Sequence, residues 1–118
     1  MATIESDSVV ASLTALGKKF GSEGRITVIV GYTQEYAIYV HENLEAFHSV
    51  GQAKYLEVPF RLRAPGAKDR VMARIAAGAT LRDALLVEGL ELQRDSQLLC
   101  PVDTGALKNS AFTRVEGE

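Results

Sequence analysis

The residues best suited to chemistry lie in the stretch Leu98-Leu99-Cys100-Pro101-Val102-Asp103-Thr104-Gly105-Ala106-Leu107-Lys108-Asn109-Ser110. An Asp-Thr-Gly triplet can present a carboxylate that hydrolyses peptide bonds when a second carboxylate shares its proton, one group staying protonated while the other is ionised. The same residues can also build a turn, in which Asp103 accepts hydrogen bonds from nearby amides and Gly105 supplies a permissive backbone. His41 and His48, with Glu42 and Glu45 between them, carry metal-ligand atoms. Their spacing fits no recognised zinc pattern and no cysteine lies close, so surface or interface hydrogen bonding is the expected role. The serines lack a nucleophile-elbow context, and no glycine pattern forms a phosphate loop. Cys100 is the single cysteine and follows two leucines, which suits a small buried hydrophobe better than a nucleophile. No catalytic, metal or cofactor constellation is expected.

Holding these residues calls for one α+β domain, with a small antiparallel β-sheet packed against a long C-terminal helix and shorter helices. Val9, Val10, Leu13 and Leu16 recur at helical spacing after Asp7 and Ser8, which predicts a helix over about 7–20. The β-branched run from Arg25 to Val30 predicts a central strand with Ile26, Val28 and Val30 on one face. Alternation of Tyr36, Ile38 and Val40 extends it into a hairpin over about 25–42. Residues 43–52 show neither period and read as a loop that could reach a neighbour. Helices are expected over about 53–63 and 69–78, divided by Ala64-Pro65-Gly66. Thr80-Leu81-Arg82-Asp83 resembles a capping box and opens the longest helix, about 80–99. Leu81, Leu85, Leu92, Ser96 and Leu99 make its inner stripe, and Arg82, Glu88, Glu91, Arg94 and Asp95 its wet side. Pro101 stops that helix. Pro101, Asp103, Thr104 and Gly105 then form a structural turn into a final strand, about 110–116, expected to pair with the sheet begun at Arg25.

The 118 residues, 47% hydrophobic and 24% charged, fit a single folded unit rather than a disordered chain. No export signal is visible, and no apolar run is long enough to span a membrane. The net charge of −2 hides a segregation. From 51 to 80, Lys54, Arg61, Arg63, Lys68, Arg70 and Arg74 outweigh Glu57 and Asp69, while the flanking thirds are acidic. Such a chain could assemble through opposite charges or turn a basic face to nucleic acid. Aromatic interleaving is sparse and the pI is about 5.7, so autonomous DNA binding is not expected; a basic patch facing a channel or an acidic neighbour is.

Two resemblances bear on function. Asp103-Thr104-Gly105-Ala106 is similar to the short motif of retroviral-type aspartic proteases, which act as dimers. Those enzymes place a hydrophobic strand before the motif and a glycine-rich flap and an apolar-apolar-Gly segment after it. Here Pro101 and a predicted helix precede it and only thirteen residues follow Gly105, so the turn is the preferred reading.

The longer resemblance is to small tail-completion, neck and minor structural proteins of tailed bacteriophages. Pro101 to Ser110 resembles their Pro-Val-Asp-Thr-Gly-x-Leu-(Arg/Lys)-x-Ser signature. Val30-Gly31-Tyr32 through Tyr36-Ala37-Ile38-Tyr39-Val40-His41-Glu42 resembles a second block, and Gly51-Gln52-Ala53-Lys54-Tyr55-Leu56-Glu57-Val58-Pro59 a third. In the commoner members the Asp-Thr-Gly block precedes the Tyr-Ala-x-Tyr-Val block; here the order is permuted. The resemblance implies a non-enzymatic virion protein, assembled in the host cytoplasm into a homo-oligomeric ring that joins the DNA-filled head to the tail. Tail terminator and minor capsid roles are its alternatives. Implied partners are portal or adaptor and tail proteins, with non-specific contact to DNA in a channel, no cofactor and no membrane. Expected interface residues are Tyr36, Tyr39, His41, Glu42, Asn43, Phe47 and His48, together with Arg61, Arg63, Lys68 and Arg70 of the basic stretch.

Overall fold

A computed structural model describes residues 2–4, 10–16, 25–34, 37–42, 54–101 and 105–117. The architecture is α+β. Strands β1 (Ala2–Ile4), β2 (Val10–Leu16), β3 (Arg25–Tyr32) and β4 (Ala111–Gly117) form one antiparallel sheet in that order. Four helices, α1 (Ala37–Glu42), α2 (Glu57–Ala76), α3 (Leu81–Leu99) and α4 (Ala106–Asn109), complete the described elements.

β3 is an interior strand, pairing along its length with β2 on one side and β4 on the other, and the last strand joins the sheet where expected. Val28 and Val30 on its inner face are buried with Ala11 and Leu13 of β2. α3 lies across that face and contributes Leu81, Ala84, Leu85 and Leu92 to the same core. Thr80 caps α3 by accepting from Asp83 N at 3.1 Å, which satisfies one of the amides left open at a helix start. The contact is closest at Gly89. A Cβ there would fall 2.3 Å from Val28 Cγ1 and 3.0 Å from Thr113 Cγ2, so only a residue without a side chain lets the helix sit this low.

The structure corrects three expectations. The predicted helix over 7–20 is instead strand β2 where it is described, at residues 10–16. Its apolar residues fit a helical stripe, but Ala11 and Leu13 also alternate with Ser12 and Thr14, and pairing to β3 selects the period of two. The predicted second arm of the 25–42 hairpin is helix α1 in its described part, 37–42. Because β2 and β4 occupy both edges of β3, no ladder remains for that segment to join. Finally, the separate helices over 53–63 and 69–78 are one helix, α2, with Pro65 inside. Pro65 is exposed, where its ring and missing amide are tolerated, and Arg70 Nη2 donates to Arg63 O on the other side of it. The loop expected over 43–52 lies outside the described residues.

Gly89→Ala tests the helix-to-sheet contact. It gains about 1 kcal/mol of helix propensity, yet overpacking against β-branched neighbours costs about 1–3 kcal/mol. A net loss of stability is expected in chemical denaturation, and a more stable variant would refute the close approach.

Candidate functional site

Two side-chain constellations stand out, and each includes residues that the sequence marks as functional candidates. The first joins α2 to α3. Glu88, expected on the wet side of α3, is 1% exposed and meets three guanidinium groups. Arg70 Nε donates to its carboxylate at 3.0 Å, Arg74 Nη1 at 2.9 Å, and Arg63 Nη2 lies 3.3 Å away. Arg63 also reaches Asp95 at 3.2 Å and pairs with Glu91, to which Arg74 donates at 2.8 Å. Burial pushes the Glu88 carboxyl up, but hydrogen bonds from Arg70 and Arg74 and the charge of Arg63 more than offset this and hold it below the usual carboxylate range. Arg63, Arg70 and Arg74 therefore face Glu88, Glu91 and Asp95, equal numbers of opposite charge.

Within this network Arg63 and Arg70, two of the four basic interface candidates, pair with carboxylates of the same chain. Of the four basic interface candidates, Arg61 and Lys68 are exposed, and Arg61 pairs with Glu57 one turn away at 3.1 Å.

The second constellation gathers residues from all three resemblance blocks. The fully buried Tyr55 ring stands edge-on to Tyr32 and to His41, with centroids 4.9 Å apart in both pairs. Tyr55 OH donates to Ala37 O at 2.9 Å, and Tyr32 OH bonds Ser96 Oγ at 2.6 Å. Burial raises the Tyr32 phenol well above its ordinary range and pushes the Cys100 thiol up to about 11, which keeps both neutral. Cys100 is fully buried, as a small hydrophobe would be. Ser110, which closes the last block, anchors the chain after β3: Thr33 N donates to its carbonyl at 3.2 Å and Gln34 N to its hydroxyl at 3.2 Å.

His41 is buried within this junction rather than displayed at a surface. Its Nε2 accepts from Glu57 N at 3.2 Å, which leaves the ring proton on Nδ1, donated to Glu42 Oε2 at 2.6 Å. Burial lowers the imidazole below its ordinary 6.5, outweighing the upward pull of Glu42. The exposed Glu42 carboxyl is itself held low by hydrogen bonds from Lys54 and His41. Lys54 adopts the left-handed φ of 59°, and from there its amide reaches His41 O at 2.7 Å. Backbone of that kind costs about 1–3 kcal/mol and persists where surrounding contacts fix it.

Of the other interface candidates, Tyr36, Asn43, Phe47 and His48 lie outside the described residues; Tyr39 is placed in the backbone of α1. In the turn, Pro101 is buried just past α3, Asp103 and Thr104 lie outside the described residues, and Gly105 takes a left-handed φ of 83° at the start of α4. The segment after the turn is thus one helical turn before it becomes strand. Among the described residues, no group of three His, Cys, Asp or Glu side chains could hold a metal, and no helix is long and apolar enough to cross a membrane. A groove of about 260 Å³ opens between the start of α2 and the end of α3. Its lining is Pro59, Leu62, Leu98 and Leu99, with Arg63 and Asp95 already paired to each other. Leu62 and Leu98 are 77% and 69% exposed, a patch no sequence pattern singled out because each sits on a different helix.

Glu88→Gln is expected to lower stability by about 3–5 kcal/mol, because three guanidinium groups lose their buried counter-charge. Arg61→Glu, at the exposed neighbouring position, is expected to change it by less than about 1 kcal/mol. Equal effects in urea denaturation would refute the assignment of the network.

A second expectation concerns pH. His41 has a folded-state pKa below its unfolded value, so its share of stability is whole above 6.5 and is lost as pH falls toward the folded value. Glu88 follows at lower pH, as its depressed folded-state value is passed. His41→Gln, whose amide oxygen can accept from Glu57 N without titrating, is expected to flatten the stability profile just below pH 6.5. An unchanged slope there would refute the neutral buried imidazole.

Comparison with protein-family models, curated proteins and solved structures finds no match, so the function is read from these residues themselves.

Proposed function

We propose that this chain is a non-enzymatic structural subunit of a tailed-phage virion, a tail-completion or neck component that forms a ring between the DNA-filled head and the tail. The observation that carries the reading is the convergence of the three resemblance blocks on one packed junction. Tyr55 stands edge-on to both Tyr32 and His41, and Ser110 ties the last block to the residues after β3. Block residues that hold each other, rather than converging on an open cleft, suit a scaffold for assembly. A catalytic site needs polar groups free to meet a substrate. The groove beside Leu62 and Leu98 instead presents apolar surface, the kind of lining that contacts between subunits use. Tail terminator and minor capsid roles rest on the same resemblance and differ in where the ring sits.

Particles assembled without this chain are expected to hold packaged DNA in heads that lack joined tails, as seen by electron microscopy. Normal infectious particles would overturn the role. The protease reading separates by one substitution: Asp103→Asn should leave head-to-tail joining intact, and loss of a pepstatin-sensitive peptide cleavage on that change would sink the structural reading.

A further inference from the structure

β4 is an edge strand, and its main-chain groups can be assigned to a side. Thr33 N donates to Ser110 O, one step beyond the Tyr32 and Ala111 pair in the β3–β4 register. Hydrogen-bonded and non-hydrogen-bonded pairs alternate along an antiparallel ladder. Phe112, Arg114 and Glu116 therefore bond to β3, opposite Gly31, Ile29 and Thr27. Ala111, Thr113, Val115 and Gly117 turn their amides and carbonyls away from β3, to the edge that no described strand pairs.

Natural edge strands are blunted by shortness, proline, charged side chains and lysine above all, a bulge, an inward charge, or a covering helix or loop. The seven residues Ala-Phe-Thr-Arg-Val-Glu-Gly contain neither proline nor lysine, and their register with β3 runs without a bulge. Their two charges, Arg114 and Glu116, pair with each other at 3.2 Å and are 58% and 57% exposed on the sheet face away from α3, where a copy's charges can join them. The opposite face is fixed by Thr113, whose Oγ1 bonds Gln93 of α3.

We propose that a second copy of this chain adds to that edge, β4 against β4 about a two-fold axis at Val115, to make a continuous sheet across a homodimer. The charges select the occupant and the register. Antiparallel pairing centred on Val115 sets Arg114 directly across from Glu116 of the copy, and Glu116 across from its Arg114. It also brings Thr113 opposite Gly117, both with main-chain groups facing outward. Centring on Arg114 would oppose two like charges, which destabilises a ladder. The strand is thus self-complementary, as an isologous interface requires. This contact closes on itself and builds no ring, so it describes the free protein, and it stands independently of the proposed virion role.

The test is the molar mass of the full chain by light scattering after gel filtration, across a dilution series. Twice the 12.8 kDa of one chain is expected at high micromolar concentration. Arg114→Glu and Glu116→Arg, each alone, should weaken dimerisation about tenfold or more, since each replaces two opposite-charge pairs by like-charge pairs. The double exchange Arg114→Glu with Glu116→Arg should restore it, with circular dichroism unchanged throughout. A wild-type chain that stays monomeric overturns the proposal. So does a double exchange that fails to recover the dimer. A dimer indifferent to Glu116→Arg would place the axis elsewhere, as centring on Thr113 sets Arg114 across from Phe112 instead, and would overturn it equally.

Discussion

The buried carboxylate of Glu88 is the constraint on which the helical half of the molecule depends. Taking one ionised carboxylate out of water costs several kcal/mol, and the cost is met only when its lone pairs are filled by charged donors. α2 provides them on one face, through Arg63, Arg70 and Arg74. Its apolar contribution is small by comparison: of its twenty residues only Pro59, Phe60 and Val71 are buried. α2 is therefore located less by hydrophobic burial than by charge, and its rotation and height on α3 follow from where the three guanidinium groups must sit. Such an arrangement favours one docking geometry strongly, because any slide of the helix strands a charge in the interior.

The same constraint reinterprets the charge segregation of the sequence. A basic middle and acidic flanks suggest surfaces that seek partners, and that inference treats each charge as solvated. Folding pairs much of the basic segment with the acidic face of α3 inside one chain. Sequence patterning could not reveal this, because Glu88 and Glu91 lie three apart and fall on what looks like an ordinary wet stripe. Only the crossing of α2 decides that this stripe is an interface. Pro65 misled for a related reason, since a proline divides an isolated helix but is tolerated on an exposed side when tertiary contacts hold both halves.

Elements whose signals were local and mutually consistent were legible. The run from Arg25 to Val30 is an interior strand, Thr80 caps α3, and the last strand pairs with β3. Legibility failed where two periods fit equally. Val10 to Leu16 satisfies a helical stripe and a strand alternation together, and residues 37–42 satisfy a strand pattern that β3, already paired on both sides, cannot accept. At the aromatic junction the residues were visible but their role was not. His41 and Tyr55 are fourteen apart in sequence, and nothing short of the fold says that one ring supports the other.

These packing facts also decide which surfaces remain for contact. α3 turns Leu85, Gly89 and Leu92 toward the sheet and Glu88, Glu91 and Asp95 toward α2. Leu98 falls nearly opposite the sheet-facing stripe, so the groove it shares with Leu62 opens on the helical side of the molecule. Phe112, Arg114 and Glu116 lie on the far face of the sheet. The chain thus carries an apolar groove and a polar, charge-bearing strand on different sides, with little chemistry in common. Two copies meeting groove to strand would make a heterologous contact, and contacts of that kind propagate into rings or filaments. Two copies meeting strand to strand close at a dimer.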